Sequence, residues 1–115
     1  MIGIDVVSIN RIEKMYEKFG KKAYHKYLNE NEIKLIKKIE TAAGFWAAKE
    51  AASKALGCGI GEECAFHDIL LSKTPKNAPF ITFSKKVLEK FSIKKAHVSI
   101  SHDNGFAIAV VALEK

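Results

Sequence analysis

The stretch from Gly44 to Gly61, GFWAAKEAASKALGCGIG, constrains the fold of this chain more than any other. From Ala47 to Leu56 it contains no Gly, Pro or β-branched residue, and five of those ten positions are Ala, the strongest helix former. We therefore predict a helix that runs into a glycine-rich loop. Because alanine side chains let another element approach closely, we expect this helix to lie at the centre of the fold.

Polar residues mark one side of this helix. Residues three and four apart are neighbours on a helical surface, so the side contains Trp46, Glu50, Ser53, Lys54 and Gly57. A surface ion pair between Glu50 and Lys54 is the simplest interpretation. Trp46 on the same side of the helix, and the glycine-rich loop that follows it, favour a functional site instead.

Three glycines alternate along the loop, at Gly57, Gly59 and Gly61. One glycine after a helix is a common C-terminal cap, whereas three in alternation indicate backbone held close to something, such as a ligand. The segment is not a P-loop, because the glycines follow the helix and no GK[ST] sequence accompanies them.

The composition indicates a soluble globular chain with one domain over residues 1–115, at 48% apolar and 28% charged residues. No apolar run approaches the ~20 residues of a membrane span, and MIGIDVV lacks the basic region of a signal peptide. Cys58 and Cys64 are expected to be reduced thiols in a cytoplasmic protein. The net charge of +6 predicts an anionic partner: nucleic acid, a membrane surface, a phosphorylated small molecule or an acidic protein.

The amino-terminal segment Met1 to Val7 reads as a strand of β-prone apolar residues that is interrupted by Asp5. A carboxylate inside such a strand is costly unless it is paired, hydrogen-bonded or bound to a metal. An acid on an edge strand that faces water is an equally open interpretation at this point.

A helix is predicted to begin at Asn10, where Asn10 and Glu13 form a capping signal, and to end at Gly20. Its apolar stripe is predicted to be core and comprises Ile12, Met15, Tyr16 and Phe19. The other face and the residues after it are basic, at Arg11, Lys14, Lys18, Lys21, Lys22, His25 and Lys26. Such a run is either a solvated face or a docking surface for an acidic partner, and spacing does not separate the two.

The remaining elements are predicted from capping, alternation and turn signals. They are a short helix whose start is signalled by Asn29 and Glu32, with Ile33, Ile36 and Ile39 on its apolar side, strands over 65–72 and 80–83, and a helix capped by Ser84. A hairpin is predicted over 97–113, with a turn signal at Asp103-Asn104-Gly105 and His102 near its tip. Ser99, Ser101 and His102 offer donors suited to phosphate, although adjacent residues rarely make a Ser-His-Asp triad.

Three sequence blocks now stand in order: GIDVVSINR at 3–11, FWAAKEAASKALGCGIG at 45–61 and VSISHDNGFAIAVV at 98–111. Together they resemble the holo-acyl-carrier-protein synthases, the small bacterial phosphopantetheinyl transferases, and the likeness runs essentially end to end. The resemblance implies an α+β fold in which a mostly antiparallel sheet packs on a long central helix. It also implies a homotrimer with active sites at the subunit boundaries.

The resemblance implies a chemistry, the transfer of phosphopantetheine from coenzyme A to a serine of apo-acyl carrier protein with release of adenosine 3′,5′-bisphosphate. This reaction serves fatty acid biosynthesis. Asp5 and Glu50 then fall at the positions that bind a divalent metal, Mg²⁺ or Mn²⁺, and Lys54 would place its ammonium against the phosphates. The base for the serine proton is either Glu50 through a water or a water on the metal.

The same resemblance assigns binding residues. Coenzyme A would contact Lys49, Ser53, Lys54, Gly57, Gly59, Gly61, Ser101 and His102. The acidic carrier protein would dock on Arg11, with Lys14, Lys18, Lys22 and Lys26 as further candidates by charge. The chain departs from the family pattern at Phe45, where an arginine is common, so a phosphate contact is either absent there or supplied by another lysine.

Two rival functions remain to be weighed. A non-catalytic module that binds the carrier protein or coenzyme A would lack a carboxylate or Lys54, and all of them are present. A nucleic-acid-binding protein would interleave aromatic with basic residues, whereas Tyr16 and Phe19 are assigned here to the buried stripe. We therefore expect neither nucleic acid nor membrane as a partner.

Overall fold

The computed structural model describes all residues 1–115 as an α+β fold. Its helices and strands, in chain order, are β1 (Ile2–Ser8), α1 (Ile9–Phe19), α2 (Lys21–His25), α3 (Glu30–Ile33), α4 (Ile39–Leu56), β2 (Ile69–Lys73), β3 (Pro79–Phe83), α5 (Lys85–Lys90), β4 (Lys95–Asp103) and β5 (Phe106–Glu114). A 3-10 turn, Phe66–Asp68, precedes β2. None of these helices combines the length and the hydropathy that crossing a membrane requires.

Two antiparallel sheets are present, one of three strands in the order β1-β5-β4 and one of two strands, β2-β3. The β4–β5 hairpin turns at Asn104 and Gly105, whose φ angles are 52° and 85°. Positive φ at both positions is what a tight two-residue turn needs, which explains why the Asn-Gly pair predicted this hairpin correctly.

Helix α4 crosses one face of the three-stranded sheet, as the alanine-rich sequence predicted. At Gly3 on β1, an added β carbon would lie 2.0 Å from the carbonyl oxygen of Ala51. Only glycine therefore lets the strand come this close to the helix. Among residues 42–56, all side chains are buried except those of Glu50 and Lys54.

A buried ion pair ties α4 to the elements on its other side. The Lys49 Nζ donates to Glu32 Oε1 at 2.8 Å and to the carbonyl oxygen of Phe66 at 3.1 Å. Glu32 Oε2 accepts from the backbone N–H of Leu71 at 2.7 Å. The capping box predicted at Asn29 and Glu32 is present, so one carboxylate links α3, α4 and β2.

The first helix differs from its prediction in two respects. It begins at Ile9 with Ser8 as N-cap, so Asn10 lies inside α1. The apolar stripe is core at Ile12 but not at Tyr16 and Phe19, whose exposed fractions are 40% and 54%. Tyr16 packs its ring against Tyr24 of α2, with 4.9 Å between the ring centroids, and the rest of its surface stays in solvent.

Two other predicted elements were wrong in their bounds. The amphipathic helix after Asn29 is a single turn, and Ile39 already belongs to α4. The strand predicted over 65–72 starts only at Ile69, because Asp68 accepts from the backbone N–H of Ala65 and closes a 3-10 turn.

Candidate functional site

Asp5 lies in the middle of β1, on the face of the strand that packs against α4. Alternation along β1 places it with Gly3 and Val7, which contact the helix side of the sheet. Its side chain is only 14% exposed. The interpretation of Asp5 as an edge-strand acid facing water is therefore wrong.

Lys54 and Glu50 on α4 complete a cluster around Asp5. The Lys54 Nζ donates to Asp5 Oδ1 at 2.8 Å, and Lys54 itself remains half exposed. The simple ion pair between Glu50 and Lys54 does not form, because Lys54 is bound to the strand instead. Between residues 42 and 56 of α4, the two that escape burial are thus the two that lie towards the strand carboxylate.

The two carboxylates of this cluster act on each other. Burial raises the pKa of Glu50, and the negative charge of Asp5 raises it further, while Lys54 and Arg11 lower it. The hydrogen bond to Asp5 raises the pKa of Lys54. A carboxylate whose charge is disfavoured by a second carboxylate nearby forms with it a donor set for a hard cation, which commonly takes one or two carboxylates beside phosphates and waters. No third His, Cys, Asp or Glu joins them to make a closed metal site.

Arg11, on the first turns of α1, lies beside this cluster. Its guanidinium carbon is 5.2 Å from the ring centroid of Trp46, which precedes Glu50 by one helical turn. The Trp46 ring is 6% exposed and packs edge-on against Tyr27 and tilted against Phe66, each at 5.0 Å between ring centroids.

A shallow groove of about 360 Å³ continues from Arg11 along α1. It is lined by Ser8, Asn10, Arg11, Lys14, Met15, Lys18 and Phe19. Lys22 and Lys26 lie beyond the break at Gly20 and do not line it. Of the predicted basic face, only Arg11, Lys14 and Lys18 line the groove, together with the apolar side chains of Met15 and Phe19.

His102 lies at the opposite edge of the sheet, on β4. The register pairs His102 with Ala107, so its side chain is on the α4 face, and Ser101 is on the other face by alternation. The structure therefore does not bring Ser101 and His102 to one side. With β5 between β1 and β4, the backbones of Asp5 and His102 in one chain are about 10 Å or more apart at ordinary strand spacing.

A cleft of about 630 Å³ adjoins His102. Its basic residues are Lys37, Lys38 and Lys73, and its other walls include Thr41, Gly44, Phe45, Asn77 and Ile100. These lysines were missed from the sequence, since they come from segments with no motif of their own. Phe45 is buried, with 1% of its surface exposed.

Two residues assigned to coenzyme A do not fit that role in the structure. The ammonium of Lys49 is fully buried against Glu32, and burial lowers its pKa. The Ser53 hydroxyl is buried and donates to the carbonyl oxygen of Glu50 at 2.7 Å. Both side chains hold α4 in place and are not accessible to a ligand.

The glycine N–H groups of the loop over residues 57–61 are used in hydrogen bonds within the chain. The N–H groups of Gly57, Gly59 and Gly61 donate to the carbonyl oxygens of Lys54, Ser53 and Cys64. No atom lies within 4 Å of a β carbon built on any of these glycines. The loop can therefore border a ligand with open space, but its glycine N–H groups are not free to cradle a phosphate.

The chain matches known proteins over its whole length. The model of the 4′-phosphopantetheinyl transferase superfamily matches residues 1–111. Holo-[acyl-carrier-protein] synthase of Aliarcobacter butzleri is 65% identical over 96% of this chain and 94% of the relative, and that of Nautilia profundicola is 63% identical over the full length of both. The crystal structure of Helicobacter pylori holo-[acyl-carrier-protein] synthase in complex with coenzyme A superposes with a TM-score of 0.96, at 54% identity, over 99% of this chain and 100% of that one.

Proposed function

The chain belongs to the 4′-phosphopantetheinyl transferase superfamily, and from this premise we infer that it transfers the phosphopantetheine of coenzyme A to a serine of apo-acyl carrier protein. It is a transferase that makes holo-acyl carrier protein, releases adenosine 3′,5′-bisphosphate and serves fatty acid biosynthesis. The observation that carries this function to particular residues is the cluster of Asp5, Glu50 and Lys54, built from a strand and a helix that the chain folds together. We assign the activity to one domain over residues 1–115, in the cytoplasm.

Asp5 and Glu50 would hold a divalent cation, Mg²⁺ or Mn²⁺, between them. Asp5 is close enough to disfavour the charge of Glu50, and the two carboxylates would leave the remaining coordination positions for phosphate oxygens and water. When bound, the cation would neutralise charge on the pyrophosphate and on the departing bisphosphate.

Lys54 would serve as a mobile cation at the same place. Its ammonium holds Asp5 in the absence of ligands, and half of its side chain is already in solvent. Rotation about its flexible stem would bring the ammonium onto a phosphate oxygen once Asp5 has another cation to face.

His102 would complete the site of a neighbouring copy. Within one chain it is separated from Asp5 by a full strand, so one molecule does not place both residues on one pyrophosphate. The sheet face away from α4 has an exposed apolar surface, formed by Ile2, Ile4, Val6, Phe106, Ile108 and Val110. An apolar surface of this kind marks an interface, and a homotrimer of this chain would cover it and bring His102 to the carboxylates of the next copy.

The cleft beside His102 suits the 3′-phosphate of coenzyme A. Lys37, Lys38 and Lys73 line it with a single carboxylate, Glu40, while the buried Phe45 offers no charge. We assign to these lysines the phosphate contact that an arginine at position 45 supplies in the family pattern.

The α1 groove would receive the carrier protein. Arg11, Lys14 and Lys18 provide charge for an acidic helix, and Met15 and Phe19 provide apolar contact between them. Because Tyr16 and Phe19 are exposed, their positions no longer speak against a nucleic-acid partner. Membership of the transferase superfamily favours the carrier protein instead.

A mass-shift assay tests the transfer directly. The chain is incubated with apo-acyl carrier protein, coenzyme A and Mg²⁺, and the carrier is expected to gain one phosphopantetheine, which an excess of chelator prevents. The matched control carries Asp5→Asn and is expected to give no gain. If the wild type binds the carrier protein without modifying it, the non-catalytic binding module replaces the enzyme.

A further inference from the structure

We propose that Trp46 is a positioning residue, whose indole ring holds the Arg11 guanidinium at the junction between the α1 groove and the carboxylate cluster, ready to receive a carboxylate of the carrier protein. The proposal rests on the proposed function, because it takes the groove as the docking site. It adds a role for a side chain that otherwise counts only as part of the core.

Arg11 has no partner other than this ring. It forms no ion pair within 4 Å and no side-chain hydrogen bond in the chain, and its guanidinium carbon is 5.2 Å from the ring centroid of Trp46. Arginine stacks on aromatic faces through its planar, weakly hydrated cation. Because its hydrogen-bond donors are left unpaired, they remain available to a carboxylate of a partner.

The Trp46 ring is itself held in place. Tyr27 and Phe66 pack against it, the Tyr27 hydroxyl donates to the carbonyl oxygen of Ala42 at 3.0 Å, and Lys49 donates to the carbonyl oxygen of Phe66. The Trp46 ring is therefore a fixed platform for Arg11. The Arg11 side chain that stacks on it has lost part of its conformational freedom before the partner binds. Such preorganisation favours binding because less freedom is lost on docking.

The position of Arg11 links docking to chemistry. It lines the α1 groove with Lys14 and Lys18, and it is also near enough to Glu50 to act on the charge of that carboxylate. A carrier protein held by Arg11 is therefore held over Trp46, which lies one helical turn before Glu50 on α4. We infer that this contact sets how far into the site the carrier serine reaches.

A kinetic series distinguishes a Trp46 ring that supports Arg11 from a Trp46 side chain that only fills the core. Trp46→Leu retains apolar bulk without a ring face, and Trp46→Phe retains the face. Losing the stacking is expected to raise the KM for the carrier protein about two- to five-fold, the scale of a cation–π contact, while the KM for coenzyme A stays unchanged. Trp46→Phe should restore most of the loss. Equal changes in both KM values, or no rescue by Phe, would overturn the proposal.

A double variant tests whether the two residues act together. Arg11→Gln should raise the carrier KM by itself, and adding Trp46→Leu should change it no further, since the ring then has no cation to hold. Additive effects would show that Trp46 acts independently of Arg11 and would contradict the proposal.

Fluorescence supplies a readout that needs neither catalysis nor a destabilising change. Trp46 is the only tryptophan of the chain. Titration with an apo-carrier protein whose acceptor serine is replaced by alanine should change its emission in the wild type, and Arg11→Gln should abolish most of that change. A signal that is the same with and without Arg11 would reject the platform. Absence of phosphopantetheine transfer by the wild type would instead reject the proposed function, so the two failures are distinguishable.

Discussion

The Nζ of Lys54 lies 2.8 Å from Oδ1 of Asp5, although 49 residues separate them in the chain. This contact joins the strand carboxylate to the helix that carries Glu50, and it places a protein cation where the proposed function needs a metal ion.

Replacing either carboxylate should stop transfer. For Asp5→Asn we expect a loss of at least about 100-fold, because the cation loses a ligand and the phosphates lose their neutralising charge. Lys54, the partner of Asp5, is half exposed, so losing this pair should change the free energy of unfolding by less than about 1 kcal/mol. The mass-shift assay and thermal unfolding check the two statements, and near-normal turnover would remove Asp5 from the metal site.

Lys54→Met should separate metal binding from catalysis. Without the ammonium that holds Asp5, the metal has no competitor, and Mn²⁺ affinity should rise about two- to five-fold, the scale of an exposed ion pair. Transfer should nevertheless slow by about 100-fold, because an oriented charge on the phosphates is lost. Spin resonance of Mn²⁺ measures the first effect in the absence of coenzyme A. Weaker Mn²⁺ binding would contradict the competition between the Lys54 ammonium and the metal for Asp5.

Glu50 should lower the stability of the metal-free fold at neutral pH. Its pKa is raised in the folded state by burial and by Asp5, so the folded chain prefers the protonated form more than the unfolded chain does. The preference for protonated Glu50 stabilises the fold below the ordinary glutamate pKa, and this stabilisation is lost as the pH rises through the raised pKa of the folded state. Glu50→Gln in chelator should therefore raise the Tm at pH 7 by up to about 5 °C, with the gain vanishing towards pH 4. A lower Tm at pH 7 would contradict the electrostatic cost.

Lys49→Met should destabilise the fold by about 3–5 kcal/mol, because it leaves the Glu32 carboxylate buried without its partner. Denaturant unfolding measures the loss. The KM for coenzyme A of the folded fraction should be unchanged, whereas a phosphate-binding lysine would raise it. Lys54→Met provides the comparison, since that side chain is half exposed and faces the site.

The lysines of the His102 cleft should recognise the 3′-phosphate. We expect the double variant with Lys37→Met and Lys38→Met to raise the KM for coenzyme A about ten-fold, equivalent to about 1.4 kcal/mol. The KM for 3′-dephospho-coenzyme A should not change. Lys34→Met, an exposed lysine outside the cleft, is the matched control. An equal effect on both substrates would place the 3′-phosphate elsewhere.

Complementation tests whether the site spans two copies. Chains with Asp5→Asn and chains with His102→Ala should each be weak, and unfolding and refolding them together should restore activity in mixed oligomers. Recovery requires that some boundaries combine an intact Asp5 with an intact His102. No recovery, in mixtures shown by mass spectrometry to contain both chains, would place a complete site within one chain.

Local signals in the sequence were read correctly wherever a short segment decides its own conformation. The alanine-rich run of α4, the Asn-Gly turn of the β4–β5 hairpin and the capping box at Asn29 all follow from contacts within a few residues. The bounds of α1 and β2 were less accurate. Ser8 makes no side-chain capping bond that would mark the start of α1, and the Asp68 carboxylate accepts from the backbone N–H of Ala65 in a 3-10 turn that delays β2.

The sequence by itself determined the family, the central helix and the residue types of the site, since motif blocks and helical spacing survive without coordinates. Only the tertiary structure decided which charges meet. It paired Lys54 with Asp5 instead of Glu50, buried Lys49 against Glu32 and placed Arg11 on Trp46. The physical reason is that these partners are far apart in the chain, so their contact depends on how α1, α4 and β1 pack, and spacing along one element carries no record of that packing.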